Sequence, residues 1–403
     1  MGRKEFVALM AMMFATIAFS IDAMLPALPD IAAELSPAAP EQAGLILTAF
    51  VLGMGIGTFF TGPLADAYGR RAIIYVGAGL YIVAAGVAWV AQSLELVLIA
   101  RLVQGLGASG PRVVCTAVIR DLYAGREMAK IMSFVLLVFT LVPAFAPLLG
   151  MVIISGFGWR GIFAAFMCFS LISIIWMGMR LPETLPVAKR RPLQSELMKA
   201  AVVDMFSHPR VRLSIFAQSM AMGMLFSLLM RVQPIYDEVY GRAESFPYWF
   251  GVIALVAGSA SVLNAALVGR YGMRRMVTVA LGAQVVLSAA MLVFGLSALS
   301  EPYGFIAFAL WQTCLFFQTG LTLGNLNALA MGPMGHIAGM AASVVGAFAT
   351  VMAAIIASPV GLLFEGSANS LIFAIMVMAI IGFALMWQMG REEAAPAPVK
   401  EPG

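Results

Sequence analysis

Four charged side chains interrupt long apolar stretches of this 403-residue sequence: Asp22, Arg101, Arg112 and Arg231. A charge within a membrane-spanning helix is costly unless it faces a partner or a water-filled cavity. A carboxylate in such a place can bind and release protons, and a guanidinium can hold a carboxylate or a phosphate. These four residues are therefore the candidates for proton transfer and for substrate binding.

Asp22 lies in the segment SIDAMLPALPD, near the end of the first apolar run, and Arg101 lies near the start of the fourth. At 1.5 Å per residue, Asp22 is about 6 Å and Arg101 about 10 Å from the same membrane surface. The two side chains can therefore form an ion pair, which predicts a proton-coupling site. Two simpler interpretations stay open: a hydrated interfacial carboxylate, and a structural ion pair that locks the helices.

Arg112 and Arg231 are candidate substrate contacts. Arg112 follows a Gly-Pro pair, where a carbonyl freed by proline can reach a cavity. Alternatively, its side chain extends to the inner interface. Arg231, in the segment LLMRVQPIYDEVYG, can attract an anionic substrate or pair with Asp237 or Glu238.

The segment GPLADAYGRR, residues 62–71, lies between two apolar runs and predicts a tight cytoplasmic turn. Glycines permit a sharp reversal, the aspartate can accept hydrogen bonds from an arginine, and the arginine pair anchors the membrane surface. An Arg-Asp pair closes the fourth apolar run as a gate or a helix-end pair. The predicted conformational gate consists of Gly62, Asp66, Gly69, Arg70, Arg71, Arg120 and Asp121.

Composition indicates a membrane protein. The sequence is 62% hydrophobic and 11% charged, whereas soluble domains carry about 25% charged residues. Basic residues cluster at the ends of apolar runs, so the net charge of +4 does not indicate nucleic-acid binding. Three cysteines lie within apolar runs without C-x-x-C spacing, and no catalytic or phosphate-binding motif is present. We therefore expect no enzymatic activity, no metal and no cofactor.

Runs of about 20 apolar residues can cross a membrane as helices. The sequence contains twelve, which predicts an all-α membrane protein. The first run lacks a clear cleavage site and leads into further spans, so we interpret it as an uncleaved helix. The predicted spans are 5–26, 43–64, 73–92, 95–118, 128–152, 160–180, 213–235, 247–269, 276–297, 303–328, 339–361 and 368–389.

The basic residues predict the orientation of these spans. With the N-terminus in the cytoplasm, nineteen of the 24 Lys and Arg residues lie in cytoplasmic segments. Only Arg160 and Arg242 lie in outer loops, and three arginines lie within spans. This asymmetry predicts that both termini are cytoplasmic.

The chain divides into two predicted halves. Residues 1–180 and 213–390 each hold six spans, and the basic segment 181–212 is a predicted cytoplasmic linker with a surface helix near 193–206. Tyr68-Gly69 recurs as Tyr271-Gly272 at the turn after the second span of the second half, which supports an internal repeat. The tail, 391–403, is predicted to be disordered.

Several motifs resemble those of the major facilitator superfamily, and within it the drug:proton antiporters of the Bcr/CflA type. The turn at 62–71 resembles the signature G-x-L-x-D-x-x-G-R-[RK], and Asp22 begins a D-x-x-L-P-A-L-P stretch. The sequence RLVQG at 101–105 matches R-x-x-Q-G. The segment LVPAFAPLLG at 141–150 partly resembles the antiporter motif of span five, and 327–346 resembles the loop between spans ten and eleven.

This resemblance implies the major facilitator fold, in which two six-helix bundles rock around a central cavity. It implies a monomer in the inner membrane that exchanges a small molecule for protons. It adds Gln104 to the substrate-binding candidates, which also include Asp22, and it adds Pro143, Pro147 and Gly150 to the gate. We therefore expect a proton-coupled secondary transporter that exports a small drug or metabolite. The alternative is a proton-coupled or facilitated importer of a specific anionic metabolite, which Arg112 and Arg231 suggest.

The orientation is testable with single cysteines placed at positions 190 and 242. Because 190 lies in the predicted cytoplasmic linker, an impermeant thiol reagent added outside intact cells should label position 242 and spare position 190. The reverse labelling pattern would reject the topology.

Overall fold

The computed structural model describes residues 1–193, 195–362 and 367–394 of the chain, and these residues contain helices and no strand. Twelve helical segments are long and apolar enough to span a membrane, as the sequence predicted. The α-helices are α1 Arg3–Asp22, α2 Leu28–Leu35, α3 Leu45–Tyr68, α4 Arg70–Val90, α5 Leu94–Leu122, α6 Gly125–Phe157, α7 Arg160–Arg180, α8 Ser195–Ser207, α9 Pro209–Pro234, α10 Phe246–Tyr271, α11 Met273–Val293, α12 Tyr303–Met331, α13 Ala338–Leu362 and α14 Ala368–Ala394.

The first span is broken, which differs from the prediction of one helix over 5–26. Helix α1 ends at Asp22, and a 3₁₀ turn over Leu25–Ala27 leads into α2. Pro26 has no N–H group and cannot donate to the carbonyl of Asp22, four residues earlier, so the α-helix cannot continue regularly. Asp22 therefore lies at a break in the middle of a longer span, Arg3–Leu35, and not close to its outer end.

Other boundaries also differ from the sequence prediction. Helix α9 begins at Pro209, inside the segment predicted as linker. Helix α14 continues to Ala394, so residues 391–394 are helical and not disordered, while 395–403 lie outside the described residues. The surface helix predicted near 193–206 is present as α8.

The two halves meet along two pairs of helices: α3 packs against α13, and α6 packs against α10. Small residues bring the backbones together. A Cβ added to Gly55 would lie 2.8 Å from a methyl carbon of Val351, and one added to Gly251 would lie 2.6 Å from the carbonyl oxygen of Ala144. Close approach of this kind is typical of membrane helices, which associate through packing of small residues.

The predicted repeat is visible in the backbone. Gly69 separates α3 from α4 with φ 103° and ψ 155°, and Gly272 separates α10 from α11 with φ 79° and ψ 150°. Positive φ angles of this size favour glycine, so both halves use the same residue type for the same reversal.

The molecule has two ends, which we name by their segments. The linker face carries residues 1–4, the turn at 66–71 and the segments 181–193 and 195–208, and the opposite face carries the loops 36–44 and 240–245. Pairs of Arg3 with Glu127 and of Arg180 with Glu5 place the N-terminus and the end of α7 together at the linker face.

The structure is closed at the opposite face and open at the linker face. One buried hydrophobic cluster joins both halves near the opposite face and includes Leu47 and Met230. At the linker face the N-terminal half has a separate buried cluster. The linker-side ends of α5 and α12 are exposed at Thr116 and Asn327, although Gln104 and Gln312 on the same helices are fully buried. We therefore infer that the space between the halves opens toward the linker face.

The tightest helix crossing in the N-terminal half is between α3 and α5. A Cβ on Gly105 would overlap the carbonyl oxygen of Phe50, and a Cβ on Gly53 would overlap that of Leu102. Gly79, on α4, has no atom of the described residues within 4 Å of an added Cβ. The two environments allow a matched test of the crossing.

We expect Gly105→Ala to lower the stability of the purified protein, because overpacking costs about 1–3 kcal/mol. Gly79→Ala should be neutral or stabilising, since alanine is favoured over glycine in a helix by about 1 kcal/mol. Thermal unfolding in detergent measures both. Equal melting temperatures for the two variants would contradict the packing described here.

Candidate functional site

Arg101 lies fully buried at the centre of the N-terminal half. Its Nε donates to the carbonyl oxygen of Ile46 (3.3 Å), one terminal nitrogen donates to Oε1 of Gln104 (2.7 Å), and the other donates to the carbonyl oxygen of Ser20 (2.9 Å). The guanidinium also lies 4.3 Å from the ring centroid of Phe50. Arg101 thus connects α1, α3 and α5, and every nitrogen of its guanidinium has an acceptor.

Ser20 extends this network to α4. Its hydroxyl donates to the carbonyl oxygen of Thr16 (2.6 Å) and lies within hydrogen-bond distance of the hydroxyl of Tyr81. Both Ser20 and Tyr81 are buried. The turn of α1 just before the break is therefore fixed to α4 and α5.

Asp22 follows Ser20 by two residues and is 5% exposed. The predicted ion pair with Arg101 is wrong for this structure, because the guanidinium is satisfied by two backbone carbonyls and Gln104. Among the described residues, the Asp22 side chain has no ion pair or hydrogen bond. The predicted similarity of depth holds, since Arg101 bonds to the backbone of Ser20.

Gly150 of α6 packs directly on the break in the first span. A Cβ at this position would overlap the carbonyl oxygen of Ala23 and lie 3.1 Å from Cγ of Pro26. Pro143 and Pro147 lie earlier in the same helix, which runs continuously from Gly125 to Phe157. The sequence placed Gly150 in the gate, and the structure places it against the residue next to Asp22.

Gln104 and Arg112 occupy different environments on α5. Gln104 has no exposed surface and accepts from Arg101, so its side chain cannot touch a substrate in this conformation. Arg112 is half-buried, and one of its nitrogens lies 3.7 Å from the sulfur of Met54. It lies about 16 Å closer to the linker face than Arg101, at 1.5 Å per residue. Arg112 is therefore positioned on the open side of the cavity.

Arg231 lies at the closed, opposite face and is 2% exposed. It lines a cavity of about 40 Å³ together with Glu41 of the N-terminal half and Asp237 and Glu238 of its own half. The acidic groups that act on it electrostatically are Glu41 and Glu238. This position is remote from the open side of the central cavity.

The predicted gate residues form a charge network at the linker face. Arg70 is 4% exposed; its terminal nitrogen lies 2.6 Å from Asp66, and its Nε lies 3.0 Å from Asp121. Asp121 therefore pairs with Arg70 and not with its exposed neighbour Arg120, which corrects the predicted helix-end pair. Arg71 donates to the carbonyl oxygen of Gly178 (3.0 Å). The network connects α3, α4, α5 and α7.

Glu183, just after α7, completes this network. Its carboxylate accepts from the backbone N–H groups of Arg70 (3.0 Å) and Arg71 (3.1 Å) at the N-terminus of α4. Burial raises the pKa of Glu183, but hydrogen bonds from the backbone N–H groups of Leu185, Arg71, Arg70 and Thr184 outweigh it and hold the pKa below its usual value. A carboxylate at a helix N-terminus satisfies otherwise unpaired N–H groups.

The two glycines of the gate have separate packing roles. Gly62 faces α13 of the other half, where an added Cβ would lie 2.8 Å from Oγ of Ser343. At Gly69 an added Cβ would lie 2.8 Å from Oε2 of Glu183 and from a nitrogen of Arg190. The linker also contacts this turn through the backbone N–H of Arg191, which donates to the carbonyl oxygen of Asp66 (3.1 Å).

Sequence reasoning did not identify several residues that form hydrogen bonds with the predicted site residues or extend their networks. Ser20, Tyr81 and Glu183 were not predicted to be functional, although Ser20 stands in the same short segment as Asp22. Glu183 follows a proline in the PETL segment after the sixth span, but no residue pattern predicts that it returns to the 62–71 turn. No group of three or more His, Cys, Asp or Glu residues in the described parts of the chain could hold a metal ion.

Comparison with known proteins agrees with this architecture. The sequence profile of the Major Facilitator Superfamily matches residues 8–359. The chain is 30% identical to a bicyclomycin resistance protein homolog of Haemophilus influenzae over 364 residues, covering 90% of each protein. It is 27% identical to the multidrug resistance protein MdtL of Escherichia coli, covering 81% of this chain and 80% of that protein.

Solved structures show the same fold at low sequence identity. The D-xylose–proton symporter superposes with a TM-score of 0.74 at 13% identity, covering 95% of this chain and 97% of the other. The profile match and the relatives confirm the family resemblance that the motifs indicated. This chain therefore belongs to the major facilitator superfamily.

Proposed function

We propose that this chain is a proton-coupled secondary transporter that exports a small drug or metabolite by alternating access. Relatives named for bicyclomycin resistance and multidrug resistance support this substrate class. The fold supports the mechanism, because two halves that meet along two helix pairs can rock about a central cavity. The importer alternative has no comparable support from the relatives.

The observation that carries the proposal is the position of Asp22. It is the buried carboxylate at the break of the first span, beside the contact between Ala23 and Gly150. A carboxylate that is buried in one conformation and hydrated in the other takes up a proton in the first and releases it in the second. Protonation of Asp22 would thus follow the conformational change.

The direction of coupling follows from what the carboxylate binds. If substrate binds only when Asp22 is deprotonated, proton and substrate alternate at the site and the protein exchanges one for the other. Arg101 supports this role by position, since it holds Ser20 and thereby the end of α1 in place. Arg112, on the open side of the cavity, is the cation we assign to substrate contact.

We further propose that the linker face is cytoplasmic, that both termini lie in the cytoplasm, and that the protein is a monomer of the inner membrane. The basic linker supports this orientation. On this assignment the structure is an inward-facing state. The Asp66, Arg70 and Asp121 network would then serve the gate as a rigid element, because it fixes α3 to α4 and α5 at the face that must open and close.

Asp22→Asn should abolish proton coupling, because an amide cannot titrate. In proteoliposomes, the substrate-induced pH change should vanish, even if substrate binding survives. The matched control is Asp30→Asn, which removes an exposed carboxylate from α2 of the same span and should leave the pH change intact. Unaltered proton movement in Asp22→Asn would place the coupling site elsewhere.

Asp66→Asn should lower transport by about tenfold or more while folded protein is still made. The substitution removes the acidic charge of the turn, whereas Arg70 keeps its contact with Asp121. Glu127→Gln is the control: this exposed carboxylate pairs with Arg3 at the same face, and exposed pairs contribute only about 0–1 kcal/mol. Initial rates of substrate export test both variants, and a normal rate for Asp66→Asn would reject the gate.

A further inference from the structure

The closed opposite face contains a tight contact between the halves. The side chain of Met230 on α9 lies against Gly44 of the N-terminal half, where an added Cβ would be 3.4 Å from its terminal methyl carbon. Nearby, the hydroxyl of Ser358 donates to that of Thr48 across the same boundary (3.2 Å). We call this contact region, with the adjoining cavity described next, the seal.

The cavity of about 40 Å³ beside Met230 lies between the halves and is lined by both apolar and polar residues. The N-terminal half contributes Glu41, and the C-terminal half contributes Arg231, Gln233, Asp237 and Glu238. Gln233 is 4% exposed, and its Oε1 has no hydrogen-bond partner among the residues that the structure describes. These are the charged and amide side chains that line the cavity, so the seal combines an apolar contact with a charged cavity around the buried Arg231.

Arg231 is attracted to carboxylates on both sides of the boundary. Glu238 belongs to its own segment, but Glu41 belongs to the other half. Other charge pairs of the opposite face lie within one half: Arg160 with Glu34 (2.7 Å) and Arg242 with Glu301 (2.9 Å). The attraction between Arg231 and Glu41 therefore requires the two halves to be close together at this face. The pairs of Arg160 with Glu34 and of Arg242 with Glu301 do not require this.

We propose that Arg231 is a positioning residue of the transport cycle, which holds the opposite face closed through its attraction to Glu41. The proposal rests on the alternating access proposed above. Opening separates the guanidinium from Glu41 while Asp237 and Glu238 stay with it, so the charge is retained in the C-terminal half and becomes hydrated. The open state lacks this attraction, so Arg231 stabilises the closed state relative to the open one.

The test measures the distance across the opposite face in protein without substrate. Spin labels are placed at Ala38 and Glu244, which are exposed and belong to different halves, in a background without the three native cysteines. Pulsed electron resonance in lipid nanodiscs then gives the populations of short and long distances. Because no substrate or proton gradient is used, the result is independent of whether the protein exports drugs.

Arg231→Gln and Glu41→Gln should each raise the ratio of open to closed populations, by about five- to tenfold for Arg231→Gln. The double variant should open no further than Arg231→Gln alone, because the two residues act through each other. Arg231→Lys should retain much of the closed population, since it keeps the charge. Glu34→Gln and Arg242→Gln, which break pairs within one half, should leave the distances unchanged.

Three results would overturn the proposal. Unchanged distances in both Arg231→Gln and Glu41→Gln would show that the charges do not hold the seal. Additive opening in the double variant would show that the two residues act separately. Equal opening by Glu34→Gln would show a general effect of charge at this face and not a specific one across the boundary.

Discussion

The N-terminal half depends on the need to satisfy a guanidinium that is completely buried in a membrane protein. Lipid offers no hydrogen bonds, so Arg101 must find its acceptors in neighbouring helices. It finds them in two backbone carbonyls and one amide, and backbone carbonyls are within reach only where helices are close. The glycines at 53 and 105 provide that closeness between α3 and α5. The glycines thus allow the charge of Arg101 to be buried, because they bring its hydrogen-bond acceptors within reach.

Charge pairs within each half keep that half rigid while the two halves move relative to each other. At the linker face, Arg70 joins helices of the N-terminal half, and Glu183 ties the end of α7 to the start of α4. At the opposite face, the pairs of Arg160 and Arg242 are likewise internal to one half. These contacts can persist while the halves move, because none of them has to break. They make each half a body that can rock as a unit.

The sequence was sufficient to predict the twelve membrane spans and to select candidate functional residues, because hydrophobic length and charge within apolar runs are local properties. It also placed Asp22 and Arg101 at a similar depth. It failed on their pairing, since the acceptors of Arg101 are backbone carbonyls, which every residue has and no pattern distinguishes. It failed on the break after Asp22 because the span was treated as one helix despite Pro26. The contact between Glu183 and the 66–71 turn depends on tertiary structure, so it could not be predicted from residue spacing.

Helix α6 has an unusual set of neighbours: one surface touches the break of the first span at Ala23, and another touches Gly251 of the opposite half. It is therefore a mechanical link between the carboxylate region and the moving partner. When the halves rotate, α6 can carry the backbone beside Asp22 with it. Alternatively, α6 can slide over that backbone, because Gly150 has no side chain to hold the two together. On the proposed mechanism, in which Asp22 is the coupling site, both cases would tie the hydration of its carboxylate to the rotation by a contact between main chains, which substitutions of side chains elsewhere in the cavity leave intact. On that mechanism, substrate-binding residues could diversify while the proposed coupling of proton to movement is preserved.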